Sequence, residues 1–206
     1  MTQTRIAADV TGLILSGGRG SRMDNVDKGL QLLEGVPLAQ RVLARLAPQV
    51  GHVAISANRN MDEYSRFGVP VWPDDMPDYA GPLAGLQAGL ARCKTPYLAT
   101  VPCDSPFLPP DLIERLMQAL ISSHADLAFA VTDGESKDEP PYAHPVFALM
   151  RAGLLPRPTA FLQDGGRKVR AWQAMQNSVA VHFPDRAAFR NINSRDDLYA
   201  LEGVRT

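Results

Sequence analysis

Hydrophobic and polar positions along the first half of the chain alternate between short apolar runs and longer amphipathic stretches. The apolar runs are typical of strands buried on both faces of a parallel sheet. They occupy residues 10–16, 53–57, 69–72 and 97–102. The intervening stretches carry apolar side chains at helical spacing. These stretches are residues 37–46, 61–67 and 83–93. The pattern predicts helices that connect parallel strands.

The second half of the chain shows a less regular pattern. Pro109 and Pro110 are placed to start a helix that runs to residue 121, and residues 143–150 predict another strand. Between them lies the acidic run 133–139, which predicts a flexible connection. We expect the remaining segments to be additions that shape the substrate site. The chain contains no internal repeat and no interdomain linker.

Alternation of strands and helices implies one α/β domain with a doubly wound, mainly parallel sheet, because parallel strands need crossover connections and both sheet faces must be covered. In such sheets the ligand lies outside the carboxyl ends of the strands. Three segments reach that edge in the predicted topology. They are the loop after Ser16, Asp74 after the third strand, and Asp104 after the fourth.

Composition supports a globular protein that does not bind nucleic acid polymers. A length of 206 residues suits one domain, and 45% hydrophobic with 21% charged residues is an ordinary proportion. The formal net charge of −1 offers no basic field for a nucleic-acid backbone. Cys93 and Cys103 occur singly, which predicts reduced core residues. No apolar run approaches the roughly 20 residues that span a bilayer, so we expect no membrane contact and a cytoplasmic location.

A glycine-rich segment follows the first strand. It reads Leu15-Ser-Gly-Gly-Arg-Gly-Ser-Arg-Met23, and Asp27-Lys-Gly-Leu30 comes next. Its glycines allow backbone N–H groups to approach phosphate oxygens closely, and Arg22 and Lys28 supply countercharge. The segment matches neither GxxxxGK[ST] nor GxGxxG. A solvated loop is the ordinary alternative, but the preceding strand favours a phosphate site.

This segment resembles the loop of nucleotidyltransferases that carry a GGxxxRM-type motif followed by a lysine. Within that group, the chain resembles the molybdenum cofactor guanylyltransferase family. The motifs that carry the resemblance are Asp27-Lys-Gly-Leu30, Ser56-Ala-Asn-Arg59, Asp78-Tyr-Ala-Gly-Pro-Leu-Ala-Gly85, Pro102-Cys-Asp-Ser-Pro106, His144-Pro-Val-Phe-Ala-Leu149, Gly166-Arg-Lys-Val169 and Asn191-Ile-Asn193. Together they extend over almost the whole chain.

The resemblance implies a Rossmann-like enzyme that transfers GMP from GTP to molybdopterin, with Mg²⁺ as cofactor and pyrophosphate as the second product. It divides the single domain into a nucleotide-binding half, about 10–106, and an acceptor-binding half, about 107–206. The resemblance is also compatible with transient contact with molybdenum-insertion proteins or apo-molybdoenzymes.

The same resemblance implies the roles of individual residues. Arg22, Lys28 and Asp104 are the catalytic candidates, and Asp104 is the metal ligand. Nucleotide contacts fall on Leu15, Ser16, Gly17, Gly18, Lys28, Ser56, Asp74 and Asp104. Acceptor contacts fall on Gly81, Pro82, Leu83, His144, Arg167, Lys168, Asn191 and Asn193.

Each of these positions also has an ordinary structural interpretation. Asp104 is placed to cap a helix before Pro106, and Asp74 with Asp75 to form a solvated turn. The glycines of residues 81–85 suit close helix packing. A single histidine on a strand, such as His144, is more often a satisfied core residue. Asn193 or Ser194 is placed to cap a final helix.

Two other functions remain open at this stage. A cytidylyltransferase or a sugar- or alditol-phosphate nucleotidyltransferase would share the loop, the lysine and the aspartate. A noncatalytic nucleotide-binding or partner-chaperone module would not need Arg22, Lys28 and Asp104 together. Ser56 stands where the family often has Asn, which puts one guanine contact in doubt, since a hydroxyl is shorter than a carboxamide.

Overall fold

A computed structural model describes residues 7–16, 27–74, 76, 81–134 and 139–203. Its strands, in chain order, are β1 (Val10–Leu15), β2 (Leu32–Leu33), β3 (Val36–Pro37), β4 (His52–Ser56), β5 (Val71–Trp72), β6 (Tyr97–Pro102), β7 (Leu127–Thr132), β8 (Tyr142–Arg151) and β9 (Ser178–His182). Its helices are α1 (Leu38–Leu46), α2 (Met61–Ser65), α3 (Pro82–Arg92), α4 (Leu112–Ser122), α5 (Pro156–Gln163), α6 (Val169–Gln173) and α7 (Arg195–Gly203). Short 3-10 turns cover Lys28–Leu30, Ala47–Gln49, Ala152–Leu154 and Arg186–Phe189.

Seven strands form one twisted sheet in the order β5-β4-β1-β6-β8-β7-β9, and β2 pairs with β3 as a separate hairpin. Strand β8 runs antiparallel to both of its neighbours, whereas the other pairs in the sheet are parallel. The chain leaves β1 toward β4 on one side and later returns to β6 on the other. The strand order therefore reverses between β1 and β6, which is where a doubly wound sheet binds its ligand.

Two apolar layers cover the faces of the sheet. The first, which we name the α1 layer, contains α1 and α4 with Ile14, Val101 and Phe147 of the sheet. The second, the α3 layer, contains α3 and the buried side chains of α5 and α6, including Trp172. Helices on both faces explain why β1 is buried along its whole length.

Helix α3 lies unusually close to the sheet because glycines face it. A Cβ atom on Gly85 would lie 2.7 Å from Ser56 Oγ and 3.0 Å from Leu15 Cδ2. Gly89 faces Leu13 in the same way, one helical turn later. Gly81 precedes the helix with φ 79°, a conformation that favours glycine, and Pro82 occupies the first turn. The ordinary interpretation, close packing, is confirmed for Gly85, whereas Gly81 has open space around it and serves the turn before the helix.

The predicted fold class is confirmed, but several element boundaries were wrong. Helix α4 begins at Leu112 rather than at Pro109, and Pro37 lies in β3 instead of starting α1. Strand β5 has only two residues, and α2 ends at Ser65. The predicted strand 143–150 is confirmed as β8. The expectation that the remaining segments are additions that shape the substrate site was wrong in part, because β7 and β9 also extend the central sheet. Of the acidic run 133–139, residues 135–138 lie outside the described residues.

Candidate active site

The carboxyl ends of β1, β4 and β6 meet at one edge of the sheet. Leu15 pairs with Pro102, and the Cys103 N–H donates to the Leu15 carbonyl at 3.1 Å. On the other side, the Ser16 N–H donates to the Ser56 carbonyl at 2.8 Å. These backbone bonds bring Ser16, Ser56 and Asp104 to the switch point. The Leu15 carbonyl and the Ser16 N–H are therefore already hydrogen-bonded to neighbouring strand ends.

Asp104 is the carboxylate at this switch point. The residue is only 8% exposed, and its carboxylate Oδ2 lies 3.4 Å from Lys28 Nζ. Burial raises the pKa of Asp104, while the Lys28 ammonium acts in the opposite direction. The neighbouring Cys103 is buried with its pKa raised to about 12, chiefly by desolvation, so its thiol stays neutral. Both cysteines are free, and Cys103 is a core residue as predicted, whereas Cys93 is only partly buried.

Lys28 reaches Asp104 from the 3-10 turn that follows the loop. Its Nζ donates to Asn193 Oδ1 at 2.6 Å, so the ammonium is held between the two side chains. Asn191 accepts from Ser105 Oγ at 2.7 Å, and the intervening Ile192 N–H donates to the Asp104 carbonyl at 2.8 Å. The C-terminal segment thus runs along the loop that carries Asp104.

The cap of the final helix is Ser194, one of the two predicted residues. Its Oγ accepts from the Asp197 N–H at 3.1 Å, and Asp197 Oδ2 in turn accepts from the N–H groups of Asn193 and Ser194, each at 3.0 Å. This reciprocal arrangement is a capping box closed by an aspartate. Because Ser194 supplies the cap, the side chain of Asn193 is available to Lys28.

A buried carboxylate, Asp27, starts the turn that carries Lys28. Its Oδ1 accepts from the Gly29 N–H at 3.2 Å and from the Tyr64 hydroxyl at 2.6 Å. Its Oδ2 accepts from Asn60 Nδ2 at 3.0 Å and lies 3.6 Å from Arg59 Nε. The sequence shows that Asp27 precedes Lys28, but it did not predict these partners, because they lie in the distant segment around α2.

On the other side of the switch point, Asp74 is held by Asn58. Asn58 Nδ2 donates to Asp74 Oδ2 at 2.8 Å, and the Asp74 N–H donates to Asn58 Oδ1 at 2.9 Å. Asp74 Oδ1 accepts from the Met76 N–H at 3.3 Å. Ser56 lies nearby as a 5% exposed residue packed against Gly85. The carboxylate therefore has a fixed direction, and Asn58 is a residue that the sequence analysis missed.

A cleft of about 620 Å³ opens on the β8 side of Asp104. It brings together three of the predicted acceptor residues, His144, Asn191 and Asn193. Two arginines and an exposed tyrosine that the sequence did not single out also line it. These are Arg186, Arg190 and Tyr142. Its cationic and aromatic walls suit a flat, anionic ligand.

His144 forms part of the wall of this cleft. Its ring stacks on Phe189 with centroids 4.7 Å apart, and Nε2 lies 3.0 Å from Thr132 Oγ1. Burial lowers the pKa of His144 to about 4, and Arg186 adds to the effect. The imidazole is therefore neutral at physiological pH and contributes a stacking surface rather than a charge.

The remaining predicted residues lie elsewhere or outside the described part of the chain. Arg167 donates to the carbonyls of Leu162 and Gly166, each at 2.8 Å, and Lys168 directly precedes α6 in the α3 layer. His144 packs in the opposite layer, so the structure does not bring these groups together. Leu83 is fully buried beneath the Gly81–Pro82 start of α3. Gly17, Gly18 and Arg22 fall outside the described residues.

Comparison with known proteins gives a consistent result. Residues 12–179 match the family described as the MobA-like NTP transferase domain. The chain is 55% identical to the molybdenum cofactor guanylyltransferase of Bordetella petrii over 195 residues, covering 94% of this chain and 97% of that protein. It is also 55% identical to the molybdenum cofactor guanylyltransferase of Ralstonia nicotianae, with 94% and 96% covered.

Solved structures show the same fold at low sequence identity. The molybdopterin-guanine dinucleotide biosynthesis protein A of Archaeoglobus fulgidus superposes with a TM-score of 0.74 at 22% identity, covering 94% of this chain and 97% of that one. The 4-diphosphocytidyl-2C-methyl-D-erythritolsynthase of Anaerococcus prevotii gives a TM-score of 0.76 at 10% identity, covering 96% and 98%. Among the described residues, no helix is long and apolar enough to cross a membrane.

Proposed function

The chain belongs to the MobA-like NTP transferase family and is a nucleotidyltransferase, and we propose that it transfers GMP from GTP to molybdopterin with release of pyrophosphate. The guanylyltransferases of Bordetella petrii and Ralstonia nicotianae, which it matches over nearly their whole length, support this assignment. The observation that carries it is the placement of Lys28, Asp104 and Asn193 together at the switch point.

The cluster lies between two candidate substrate sites. Ser56 ends β4 and Asp74 follows β5, whereas the cleft with His144 lies on the β8 side. Asn193 both contacts Lys28 and lines the cleft. We assign the nucleotide to the first side and the acceptor to the second, so that the acceptor phosphate meets the α-phosphate of GTP near Lys28 and Asp104.

The chemistry needs positive charge and alignment at this point. An acceptor phosphate that attacks a triphosphate brings several negative charges together, and fixed cations are the usual means of stabilising such a reaction. Lys28 supplies one cation, and the 2.6 Å bond to Asn193 gives its flexible side chain a direction. Arg22 is proposed to supply a second from the glycine-rich loop.

Mg²⁺ is proposed as the cofactor, with Asp104 as its protein ligand. Among the residues that the structure describes, no group of three or more His, Cys, Asp and Glu is placed to hold a metal. One carboxylate still fits Mg²⁺, because this ion commonly combines one or two carboxylates with substrate phosphates and water. When bound, the ion would neutralise phosphate oxygens. Asp104 fits this role, since its largely buried carboxylate follows β6 at the switch point, between the two candidate substrate sites.

Asp74 is proposed to recognise guanine. A carboxylate accepts hydrogen bonds from the N1 and N2 groups of guanine, which cytosine and adenine do not present in the same arrangement. Asn58 orients the residue for this task through one hydrogen bond to the carboxylate and one from the Asp74 N–H. Ser56 retains a hydroxyl beside it, shorter than the Asn that is frequent in the family.

The direct experiment supplies the protein with GTP, Mg²⁺ and molybdopterin and measures released pyrophosphate together with the dinucleotide product. We expect both products in equal amounts, and neither when molybdopterin is omitted. Parallel reactions replace GTP with CTP, or molybdopterin with a sugar or alditol phosphate. Preference for CTP would indicate a cytidylyltransferase, preference for the other acceptor a different nucleotidyltransferase, and GTP binding without turnover a noncatalytic module.

A further inference from the structure

Tyr64 is a wholly buried side chain that joins three parts of the fold through its hydroxyl group. Its residue exposure is 0%, and its ring packs edge-on against Phe67 with centroids 5.8 Å apart. The hydroxyl donates to Asp27 Oδ1 at 2.6 Å and accepts from Ser16 Oγ. Helix α2 is thereby tied both to the end of β1 and to the segment that leads into Lys28.

The hydroxyl group lies directly beneath the turn that carries Lys28. Gly29 has so little space that a Cβ atom there would overlap the Tyr64 hydroxyl and lie 2.7 Å from Ser16 Oγ. The same turn is started by Asp27, whose Oδ1 accepts from the Gly29 N–H at 3.2 Å. The Gly29 backbone therefore lies against both buried hydroxyl groups, and the Asp27 carboxylate is bonded to that of Tyr64, which leaves the turn little freedom to move.

We propose that Tyr64 is a positioning residue for Lys28, acting through Asp27 and the turn Lys28–Leu30. The inference rests on the proposed catalytic role of Lys28. A lysine side chain has a flexible four-carbon stem, so both its backbone and its ammonium group must be held if the ammonium is to stay in place. Asn193 holds the tip, and the Ser16–Tyr64–Asp27 chain of hydrogen bonds holds the backbone from which the side chain starts.

Tyr64→Phe tests this role, because it removes only the hydroxyl group and retains the ring that packs on Phe67. We expect kcat to fall about 10- to 100-fold, in line with the cost of misplacing a reacting group by about 1 Å, while the dissociation constant for GTP changes less than about threefold. Tyr97→Phe is the matched control, since Tyr97 starts β6 at the end of the strand opposite Asp104. The control should retain normal kcat. All rates are measured well below the midpoint of thermal unfolding of each variant, so that lost stability does not appear as lost activity.

A double-mutant cycle with Lys28→Ala, measured in single turnovers with enzyme in excess, separates positioning from a general structural effect. If Tyr64 acts through Lys28, Tyr64→Phe should slow the Lys28→Ala enzyme by less than about twofold. An equal slowing in both backgrounds would overturn the inference, as would normal kcat for Tyr64→Phe in the presence of an impaired Lys28→Ala variant. Full activity of Lys28→Ala would instead refute the proposed role of Lys28 itself, and this inference with it.

Discussion

At the scale of single residues, the switch point depends on charged side chains whose partners come from distant parts of the chain. Lys28 lies between Asp104 and Asn193, and Asp74 lies against Asn58. Each charged group thus has a polar partner that fixes its direction, as buried ionic groups require.

Asp104→Asn is expected to lower Mg²⁺-dependent turnover by about 10²- to 10³-fold while leaving the fold intact, because the amide keeps the shape of the side chain and loses its charge. Pyrophosphate release measured across a series of Mg²⁺ concentrations checks this. Asp164→Asn, at an exposed position after α5, is the matched control and should turn over normally. Near-normal turnover of Asp104→Asn at ordinary Mg²⁺ would remove this residue from the metal site.

Asp74→Ala is expected to lose much of the preference for GTP over CTP and ATP, while triphosphate binding persists through Arg22 and Lys28. An unmet hydrogen-bonding group costs about 1–3 kcal/mol, so one lost guanine contact should weaken GTP binding about 5- to 150-fold. Competition binding with the three nucleotides measures the effect. Asn58→Ala should cause a smaller change in the same direction, because it removes one hydrogen bond to the Asp74 carboxylate and one from the Asp74 N–H. Unaltered selectivity in Asp74→Ala would show that Asp74 does not recognise guanine.

At the scale of secondary-structure elements, the residues that precede helices and turns contribute more to the candidate site than helix interiors do. Gly81 precedes α3, Asp27 caps the 3-10 turn and Ser194 caps α7, and these two caps lie next to Lys28 and Asn193 of the switch point. The glycines that let α3 approach β1 and β4 were visible in the sequence, as was the candidate cap Ser194. The pairing of Asn193 with Lys28 was not visible, because it joins residues 165 positions apart.

Ser194→Ala is expected to lower the free energy of unfolding by about 1 kcal/mol, because the Asp197 N–H loses its capping partner. Urea denaturation of the wild type and the variant measures the difference. Ser122→Ala serves as the control, because Ser122 is the last residue of α4 and caps no helix start. It should change the free energy of unfolding by less than about 0.5 kcal/mol. A variant as stable as the wild type would mean that Asp197 and its backbone bonds hold this helix start without the serine.

At the scale of the whole molecule, the sheet separates two sets of cations proposed for the acceptor. Sequence resemblance favours Arg167 and Lys168, which lie in the α3 layer. The cleft beside His144 instead presents Arg186 and Arg190, on the side where Asn193 meets Lys28. Cations in that cleft can bind an anionic acceptor beside Lys28, whereas Arg167 and Lys168 lie on the other face of the sheet.

We therefore expect Arg186→Gln to raise the KM for molybdopterin at least about fivefold while leaving the dissociation constant for GTP nearly unchanged. As the sequence resemblance implies, the double variant Arg167→Gln, Lys168→Gln should also weaken molybdopterin use more than GTP binding, but with a smaller change in KM than Arg186→Gln. Steady-state kinetics with each substrate varied, together with GTP titrations, compare the two. A larger effect of the double variant would assign the acceptor phosphate to residues 167–168 instead of the cleft.

The sequence by itself determined the alternation of strands and helices, and with it the doubly wound fold and the edge where a ligand must bind. It also determined the candidates Lys28 and Asp104, because a glycine-rich loop and a strand-end carboxylate are local patterns. The sequence analysis predicted β5 within residues 69–72 but did not predict β7 or β9. Strand β9 is short and only partly buried, so its pattern resembles that of a loop.

Only the tertiary structure decided which polar groups meet. The partners Asn193 for Lys28, Tyr64 for Asp27 and Asn58 for Asp74 lie on separate segments, and their contacts depend on how β1, β4 and β6 are ordered in the sheet. The order of strands also placed Arg186 in the cleft and residues 167–168 on the other face. Local sequence patterns report the conformation of neighbouring residues, whereas hydrogen bonds between remote segments are set by the packing of the whole chain.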